Sequence, residues 1–245
     1  MKQKRAQDTS LKRFLPIMTN KVDFDEYTEN YNDLLAKDTQ FFSDDEAYFA
    51  DYKVSVVRQQ RTTSTSRILE YGCGIGRNFP ALGKQFPDAE LVGTDISEAS
   101  LEFAVKHNPS VKFVLEQGDL TSLGKFDLIF VAGVFHHIPP AERQKAANLL
   151  HQRLAPGGEL FVFEHNPYNP VTRHIVNNCP YDEDAIILKP KELKFLLSEA
   201  GLQVTKYAYC LFIPPKFKKL VALERYLEKV PLGGQYWVGC RRRPL

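Results

Sequence analysis

The sequence predicts a doubly wound α/β fold built on a seven-stranded, mainly parallel sheet. After the Ser/Thr run "TTSTS", short apolar segments alternate with segments of helical character. One of them, "KFDLIFVAG", is apolar almost throughout, which is typical of a parallel strand buried on both faces. Strands that alternate with helices indicate a parallel sheet covered by helices on both sides.

Each element has a local signal. The predicted strands are, in chain order, "RILEY", "ELVGTD", "VKFVLEQ", "KFDLIFVAG", "ELFVFE", "LQVTKYAY" and "GGQYWVGC". Ser97 can cap the helix "EASLEFAVKH", which ends before Pro109 because proline cannot continue a helix. The prolines of "PPAERQKAANLLHQRL" begin the next helix. Pro190 begins another, and Gly201 ends it.

Two further helices are predicted before the sheet. "DFDEYTENYNDLL" has apolar residues at helical spacing, and Asp23 with Glu26 forms an acidic version of a capping box. "DEAYFADYKVSVVRQQ" is the second. The predicted organisation is a basic N-terminal extension over 1–20, N-terminal helices over 21–62 and the α/β domain over 63–245.

Composition points to a soluble protein in a reducing compartment. Of the 245 residues, 43% are hydrophobic and 25% charged, which is ordinary for a globular domain. The four cysteines form no CxxC pair, which argues against disulfides and a structural zinc site, so no metal is predicted. The basic first twenty residues lack the apolar core of a signal peptide, and no apolar run could span a bilayer. We therefore expect a cytoplasmic location.

Charge is unevenly distributed although the net charge is only +2. The segment 211–234 is basic, and on a helical wheel its cations and leucines occupy different faces. Such a helix can dock on the sheet or rest on an anionic membrane surface. Both alternatives stay open, and the second predicts a weak peripheral membrane contact through 216–229.

The turn after the first strand, "RILEYGCGIGRN", carries glycines at positions 72, 74 and 76. In an open α/β sheet, ligands bind at the carboxyl ends of the strands, and a glycine turn lets a ligand approach the backbone. Asp95 ends the second strand, where it can hold a ribose through its hydroxyls. Enzymes that use nicotinamide dinucleotides and those that use S-adenosylmethionine share this arrangement.

Three details favour a cationic adenosyl ligand over a dinucleotide. The spacing is G-x-G-x-G, with Arg77 where the dinucleotide fingerprint has its last glycine. Glu70 puts a carboxylate near the turn, where it would repel a pyrophosphate and attract an ammonium or sulfonium. Asp119, at the end of the third strand, can accept a hydrogen bond from an adenine amino group.

The order and spacing of five segments resemble the motifs of class I S-adenosylmethionine-dependent methyltransferases, of the type 11/12-like kind. The segments are "ILEYGCGIG", "VGTDIS", "EQGDL", "FDLIFVAGVFHHI" and "LAPGGELFVFEH". The resemblance extends weakly to "LKPKELKFLLSEAGL". It implies a Rossmann-like sheet with an antiparallel last strand, N-terminal lid helices, S-adenosyl-L-methionine as cofactor and S-adenosyl-L-homocysteine as product.

The resemblance also implies which residues hold the cofactor. Those around the methionine part are Glu70, Gly72, Cys73 and Gly74. Those at the ribose and adenine are Asp95, Ile96, Asp119 and Leu120, and the backbone facing the sulfonium is that of Ala132, Gly133 and Val134. Tyr31, or less so Tyr27, is expected to cover the cofactor by a cation–π contact of about 1 kcal/mol, unless both tyrosines only pack on the domain.

Substrate-side residues are expected after the fourth and fifth strands. His136 and His165 are the candidate general bases, needed only if the acceptor must lose a proton. His137 precedes "IP", where the family commonly has a histidine without a base role. The connection 166–188 is long for an α/β loop, so we expect it to select the substrate through Tyr168 and Arg173, although it could be only a surface excursion.

These features predict a methyltransferase acting on an oxygen or nitrogen of a small, lipid-linked or glycan-type acceptor. "HNPYNP" resembles the box of nucleic-acid amino methylases but follows the wrong strand and lacks the second proline. No specific nucleic-acid partner is therefore expected. The alternatives are a regulatory domain that binds S-adenosylmethionine without transfer, and an RNA or protein methyltransferase. A nicotinamide oxidoreductase is disfavoured by the glycine spacing.

Overall fold

The computed structural model describes residues 22, 25, 40, 42, 43, 45, 47–61, 64–116 and 120–242. Its strands are β1 (Arg67–Tyr71), β2 (Glu90–Asp95), β3 (Lys112–Leu115), β4 (Phe126–Ala132), β5 (Leu154–His165), β6 (Leu202–Cys210) and β7 (Gln235–Arg242). Its α-helices are α1 (Tyr48–Gln60), α2 (Phe79–Gln85), α3 (Glu98–His107), α4 (Arg143–Arg153), α5 (Pro170–Asn178), α6 (Pro190–Glu199), α7 (Lys218–Val221) and α8 (Glu224–Leu227). Short 3₁₀ turns occupy Leu120–Leu123 and Pro180–Asp182.

The seven strands form one sheet in the order β3-β2-β1-β4-β5-β7-β6. β1 pairs in parallel with both β2 and β4. β2 and β3 follow on one side of β1, and β4 and β5 on the other, so the strand order reverses at β1. β7 lies between β5 and β6 and is antiparallel to both. This arrangement confirms the predicted fold, including the antiparallel last strand. It also places the ligand-binding edge at the carboxyl ends of β1 and β4, where the strand order reverses.

Helices cover the sheet on both faces. On one face, Leu150 of α4 and Leu193 of α6 are fully buried against β4, β5 and β7. On the other, Val54 of α1 and Leu82 of α2 pack with Phe163 and other β-strand side chains. Each such buried side chain contributes about 1.5–3 kcal/mol relative to exposure. β4 is apolar because helices cover both of its faces.

Local signals fixed some boundaries and not others. Ser97 caps α3 as predicted, with its hydroxyl accepting from the Ser100 N–H at 3.0 Å. β5 begins at Leu154, earlier than predicted, because this residue pairs with Phe126 before the register shifts. α4 begins at Arg143 and not at the preceding prolines.

The segment 211–234 differs from its prediction. A single basic amphipathic helix was expected, but the structure has the two one-turn helices α7 and α8. The carboxylate of Glu224 is buried and accepts the N–H groups of Phe212 and Ile213, each at 2.8 Å, and the Tyr52 hydroxyl at 2.7 Å. The segment therefore folds back on itself around one buried acid. Among the described helices, none has the length and apolarity needed to cross a membrane.

Candidate functional site

A cavity of about 670 Å³ opens at the carboxyl ends of β1, β2 and β4, beneath the N-terminal half of α1. This is within the usual size of small-molecule sites. The glycine turn, the ends of the strands and the turn after β4 form its walls. The lining residues used below are Lys53, Glu70, Gly72, Cys73, Gly74, Arg77, Asn78, Asp95, Ile96, Glu116, Ala132, Gly133, Val134 and His137.

The glycine turn is built from residues with positive φ. Gly72 has φ +68°, and a Cβ there would lie 2.5 Å from a methyl carbon of Val134. Gly74 has φ +51°, and a Cβ there would meet nothing within 4 Å. The first glycine therefore lets the turn pack against the segment after β4. The second leaves the backbone open to the cavity.

Glu70 is a buried carboxylate with one oxygen unused. Its Oε1 accepts from Asn78 Nδ2 at 2.5 Å, whereas Oε2 is buried without a hydrogen-bond partner in the described structure. Burial raises the pKa of Glu70 to about 8, although the nearby Lys53 opposes this. A buried, unsatisfied oxygen is costly. A cationic donor that enters the cavity would satisfy it.

Lys53 reaches the cavity from α1. Desolvation and the charge of Arg77 lower its pKa to about 8, against the attraction of Glu70. Lys53 could not be identified from the sequence, because a single lysine on a helix is usually a solvated side chain. The structure shows that Lys53 lines the cavity, where its charge acts on Glu70.

Asp95 connects the second strand to the glycine turn. Its Oδ2 accepts the Gly74 N–H at 2.7 Å, and its Oδ1 accepts the Ser97 N–H at 3.0 Å. Burial raises its pKa, and these backbone hydrogen bonds act in the opposite direction. The carboxylate therefore shapes the turn, and it lines the cavity at the position expected for a ribose partner. Ile96, next to it, is 39% exposed.

The wall opposite the glycine turn is the segment after β4. Ala132, Gly133 and Val134 line the cavity, as the resemblance implies. The fully buried Glu164 of β5 holds this segment, because its Oε1 accepts the N–H groups of Val134 at 3.1 Å and Phe135 at 2.8 Å. The sequence analysis did not identify Glu164, since an acid inside a buried strand has no signature beyond its position.

The histidines of this region form a cluster with two acids. His136 Nδ1 lies 2.6 Å from Glu164 Oε2, and His136 Nε2 lies 3.6 Å from Asp182 Oδ1. Desolvation would lower the pKa of His136, but the two carboxylates outweigh it and raise the pKa to about 9. Burial and the charge of His136 lower the pKa values of both His137 and His165.

Of these histidines, His137 lines the cavity. His136 is 2% exposed and lies behind it, and the ring of His165 is 4.9 Å from that of His136. The structure therefore brings the two predicted bases together but places neither in the cavity wall. Asp182 joins the cluster from the 3₁₀ turn after α5.

The remaining predicted residues lie apart from the cavity or outside the description. Tyr168 is 47% exposed, and Arg173 is an exposed residue of α5; neither lines the cavity. Tyr27, Tyr31 and Asp119 lie outside the described residues, and Leu120 begins a 3₁₀ turn whose first side chains are not described. The roles assigned to these residues stay predictions. α5 itself was missed, although Asn169 before Pro170 is a helix-start signal.

Part of the chain is similar in sequence to known methyltransferases. Residues 68–158 match the family described as "Methyltransferase domain". Trans-aconitate 2-methyltransferase of Deinococcus radiodurans is 35% identical over 99 residues, which are 40% of this chain and 37% of that protein.

The fold is similar to solved structures over most of the chain. A Thermotoga maritima structure described as a methyltransferase dependent on S-adenosylmethionine (SAM), "possible histamine N-methyltransferase", has a TM-score of 0.63 at 17% identity, covering 90% of this chain and 98% of that one. Phosphoethanolamine N-methyltransferase 2 of Haemonchus contortus, in complex with S-adenosyl-L-methionine, has a TM-score of 0.60 at 13% identity, covering 91% of this chain and 60% of that one. The chain spans less than half the length of the first curated relatives it matches.

Proposed function

We propose that the chain transfers a methyl group from S-adenosylmethionine to an oxygen or nitrogen of a small acceptor. The match of residues 68–158 to the family described as "Methyltransferase domain" supports this. The observation that carries the proposal is the cavity at the strand ends. One wall holds a buried acid with a free oxygen, and the other is the backbone of the segment after β4.

The residues present fit the cofactor. Its ammonium can donate to Glu70 Oε2, which has no other partner in the described structure. Gly74 leaves room for the ligand against the backbone, and Asp95 lies beside it with hydrogen-bonding capacity for a ribose hydroxyl. The bound cofactor supplies a methyl group on a sulfonium that is already activated for in-line displacement.

The chain contributes positioning above all. The side chain of Val134 lies against Gly72, so the two walls of the cavity are in close contact there. Glu164 fixes the backbone of the segment after β4 from behind. Holding reactants in the correct geometry provides much of the acceleration in such reactions. The assignment of His136 or His165 as a general base remains a prediction.

Small acceptors are favoured by the relatives and by the cavity. The similar proteins include one named for trans-aconitate and one for phosphoethanolamine, which are small charged molecules. Lys53 and Arg77 bring positive charge to the cavity wall. We propose that they orient an acidic group of the acceptor.

The test separates cofactor binding from transfer. Isothermal titration should show binding of S-adenosylmethionine and S-adenosylhomocysteine, and no binding of NAD. Release of S-adenosylhomocysteine should then be measured with a panel of small carboxylates, amines and hydroxyl compounds. Binding of NAD without S-adenosylmethionine would refute the assignment. Cofactor binding without transfer to any acceptor would support the regulatory alternative.

A second proposal is that the segment 216–232 contacts a membrane surface. In the segment 216–232 five large apolar side chains are 48–68% exposed: Phe217, Leu220, Leu223, Tyr226 and Leu232. Exposed cations accompany them at Lys216, Lys219, Arg225 and Lys229. Apolar and basic side chains together favour an anionic membrane surface. We propose a weak peripheral contact there, which would suit a lipid-linked acceptor.

Vesicle sedimentation tests this contact. The chain should bind vesicles of anionic phosphatidylglycerol more than those of neutral phosphatidylcholine, and salt should weaken the binding. The double variant Leu220→Ser/Leu223→Ser should lose it. Phe195→Ser is the matched control, since Phe195 is 64% exposed on α6, outside the segment. Equal binding by both variants would exclude this surface.

A further inference from the structure

We propose that His136, His137 and Asp182 form a binding site for one divalent transition-metal ion of the zinc class, at the edge of the cavity. Each of the three offers one ligand atom, and these atoms lie within 4.8 Å of one another. Two residues come from the turn after β4 and the third from the 3₁₀ turn after α5. The site does not depend on which acceptor the enzyme uses, or on transfer itself.

The spacing of the ligand atoms suits a tetrahedral ion. Asp182 Oδ1 lies 3.3 Å from His137 Nε2 and 3.6 Å from His136 Nε2. Metal–ligand bonds of about 2.0–2.1 Å at tetrahedral angles place ligand atoms about 3.3 Å apart. The three side chains therefore need only small adjustments to surround an ion.

Asp182 has a buried carboxylate oxygen that accepts no hydrogen bond in the described structure. Its side chain is 3% exposed, and its Oδ1 is buried with no hydrogen bond to any described group. The two imidazoles lie at ion-pair distance from this oxygen but make no hydrogen bond to it, and a buried acceptor without a hydrogen bond is costly. A cation between the three side chains would satisfy it.

The surroundings of His136 match those of metal-bound histidines. Its Nδ1 donates to Glu164 Oε2 at 2.6 Å, so Nε2 faces Asp182 and would bind an ion on giving up its proton. Ligand histidines almost always have such a carboxylate or carbonyl partner on the second nitrogen. Glu164 is itself fixed by two backbone N–H groups. His137 Nδ1 faces a second acid, Asp184, at 3.7 Å.

The ligand types select the class of metal. Two imidazoles and one carboxylate suit zinc, iron, cobalt or nickel, whereas magnesium and calcium prefer oxygen ligands alone. Because His137 lines the cavity, the fourth position can face it, as in zinc sites that keep one position open. The sequence predicted no metal because that prediction rested on cysteine spacing. Ligands separated by some 45 residues have no spacing signature.

Metal binding to the whole chain, without any acceptor, is the direct test. After treatment with EDTA, the protein should bind one equivalent of Zn²⁺ in isothermal titration, and Mg²⁺ and Ca²⁺ should not compete. Co²⁺ should give the visible absorption of a tetrahedral site. Asp182→Asn, which keeps the size of the side chain, should weaken Zn²⁺ binding about 100-fold or more. Glu164→Gln should weaken it about 10–100-fold, the effect of losing an outer partner of a ligand histidine.

Two controls make the result decisive. His174→Ala removes an exposed histidine of α5 and should bind Zn²⁺ as the natural chain does. Circular dichroism reports whether each variant is folded; if Asp182→Asn is not, His137→Gln replaces it. No stoichiometric Zn²⁺ binding, or equal binding by the natural chain and the ligand variants, would overturn the proposal. The cluster would then be an ion-paired His136 held between two acids.

Discussion

Glu164 Oε2 lies 2.6 Å from His136 Nδ1, and the two side chains are 0% and 2% exposed. The other oxygen of Glu164 accepts the backbone N–H groups of Val134 and Phe135. One carboxylate on β5 therefore fixes both the backbone and a side chain of the turn after β4. This turn forms one wall of the cavity, so the rigidity of that wall depends on a residue that does not line it.

The first prediction is that Glu164→Gln lowers the free energy of unfolding by about 3–5 kcal/mol, because it leaves a buried cationic histidine without its main partner. Urea unfolding at pH 7 measures the loss. Glu90→Gln is the matched control, since the Glu90–Arg67 pair is partly solvated and its loss should cost under about 1 kcal/mol. Similar losses in the two variants would contradict the role given to Glu164.

The second prediction compares two glycines of one turn. Gly72→Ala should destabilise the chain by about 1–3 kcal/mol more than Gly74→Ala, because its Cβ would collide with Val134. Both variants share the strain of a side chain at positive φ, about 1–2 kcal/mol. Thermal unfolding measures the difference.

The same pair also tests the cavity. Gly74→Ala should lower S-adenosylmethionine affinity although its fold is nearly retained, because the methyl group would occupy space open to the ligand. Equal stability of the two variants, or unchanged affinity of Gly74→Ala, would show that the turn is not arranged as described.

The third prediction concerns pH. The pKa of Glu70 is raised to about 8 by burial, so the carboxyl is largely protonated at pH 6. Binding a cation requires the ionised form and releases this proton, so affinity should rise from pH 6 to 8, by up to about tenfold per pH unit, and level off above. Isothermal titration in buffers of different ionisation enthalpy measures both the affinity and the proton release.

The control for this pH dependence is Glu70→Gln, which cannot ionise. Titration of the cofactor's own amino group affects both proteins equally, so the ratio of their affinities isolates Glu70. The affinity of the natural chain divided by that of Glu70→Gln should be small at pH 6 and should grow toward pH 8. A constant ratio would mean that Glu70 does not contact the cation.

The fourth prediction is that Asp95→Ala weakens S-adenosylmethionine binding by about 1.5–3 kcal/mol, through loss of charge-assisted hydrogen bonds to the ribose. Because Asp95 also accepts the Gly74 N–H, part of the loss would come from a looser turn. Asp95→Asn separates the two effects, since its amide oxygen can still accept one backbone bond. S-adenosylhomocysteine should show the same loss. Unchanged affinity in a folded variant would place the ribose elsewhere.

Much of the fold was predictable because its signals are local. Ser97 caps α3, Pro190 begins α6, and the apolar run of β4 lies at the centre of the sheet, as the sequence indicates. The methyltransferase family and the S-adenosylmethionine-type motifs were also identified from the order of five short segments, and the match of residues 68–158 confirms that identification.

What the sequence could not predict depends on contacts between distant residues. Asp182 meets His136 and His137 only because α5 turns the chain back toward the sheet. Lys53 and Glu70 line one cavity although they belong to α1 and β1. The helix expected over the basic segment is interrupted where Glu224 turns inward to Phe212 and Ile213. A helical wheel assumes that charged residues face water, and Glu224 does not.

The hydrogen bond between the Tyr52 hydroxyl and Glu224 has a thermodynamic consequence. Tyr52 lies on α1, one residue before the cavity-lining Lys53, and Glu224 organises the segment with the exposed apolar side chains. If cofactor binding orders α1 and a membrane surface orders the segment 216–232, both would act on the hydrogen bond between Tyr52 and Glu224. Coupling of this kind is reciprocal: whatever factor the surface applies to cofactor affinity, the cofactor must apply to surface affinity. A factor above one would mean that the chain binds its cofactor more tightly on a vesicle surface than in solution.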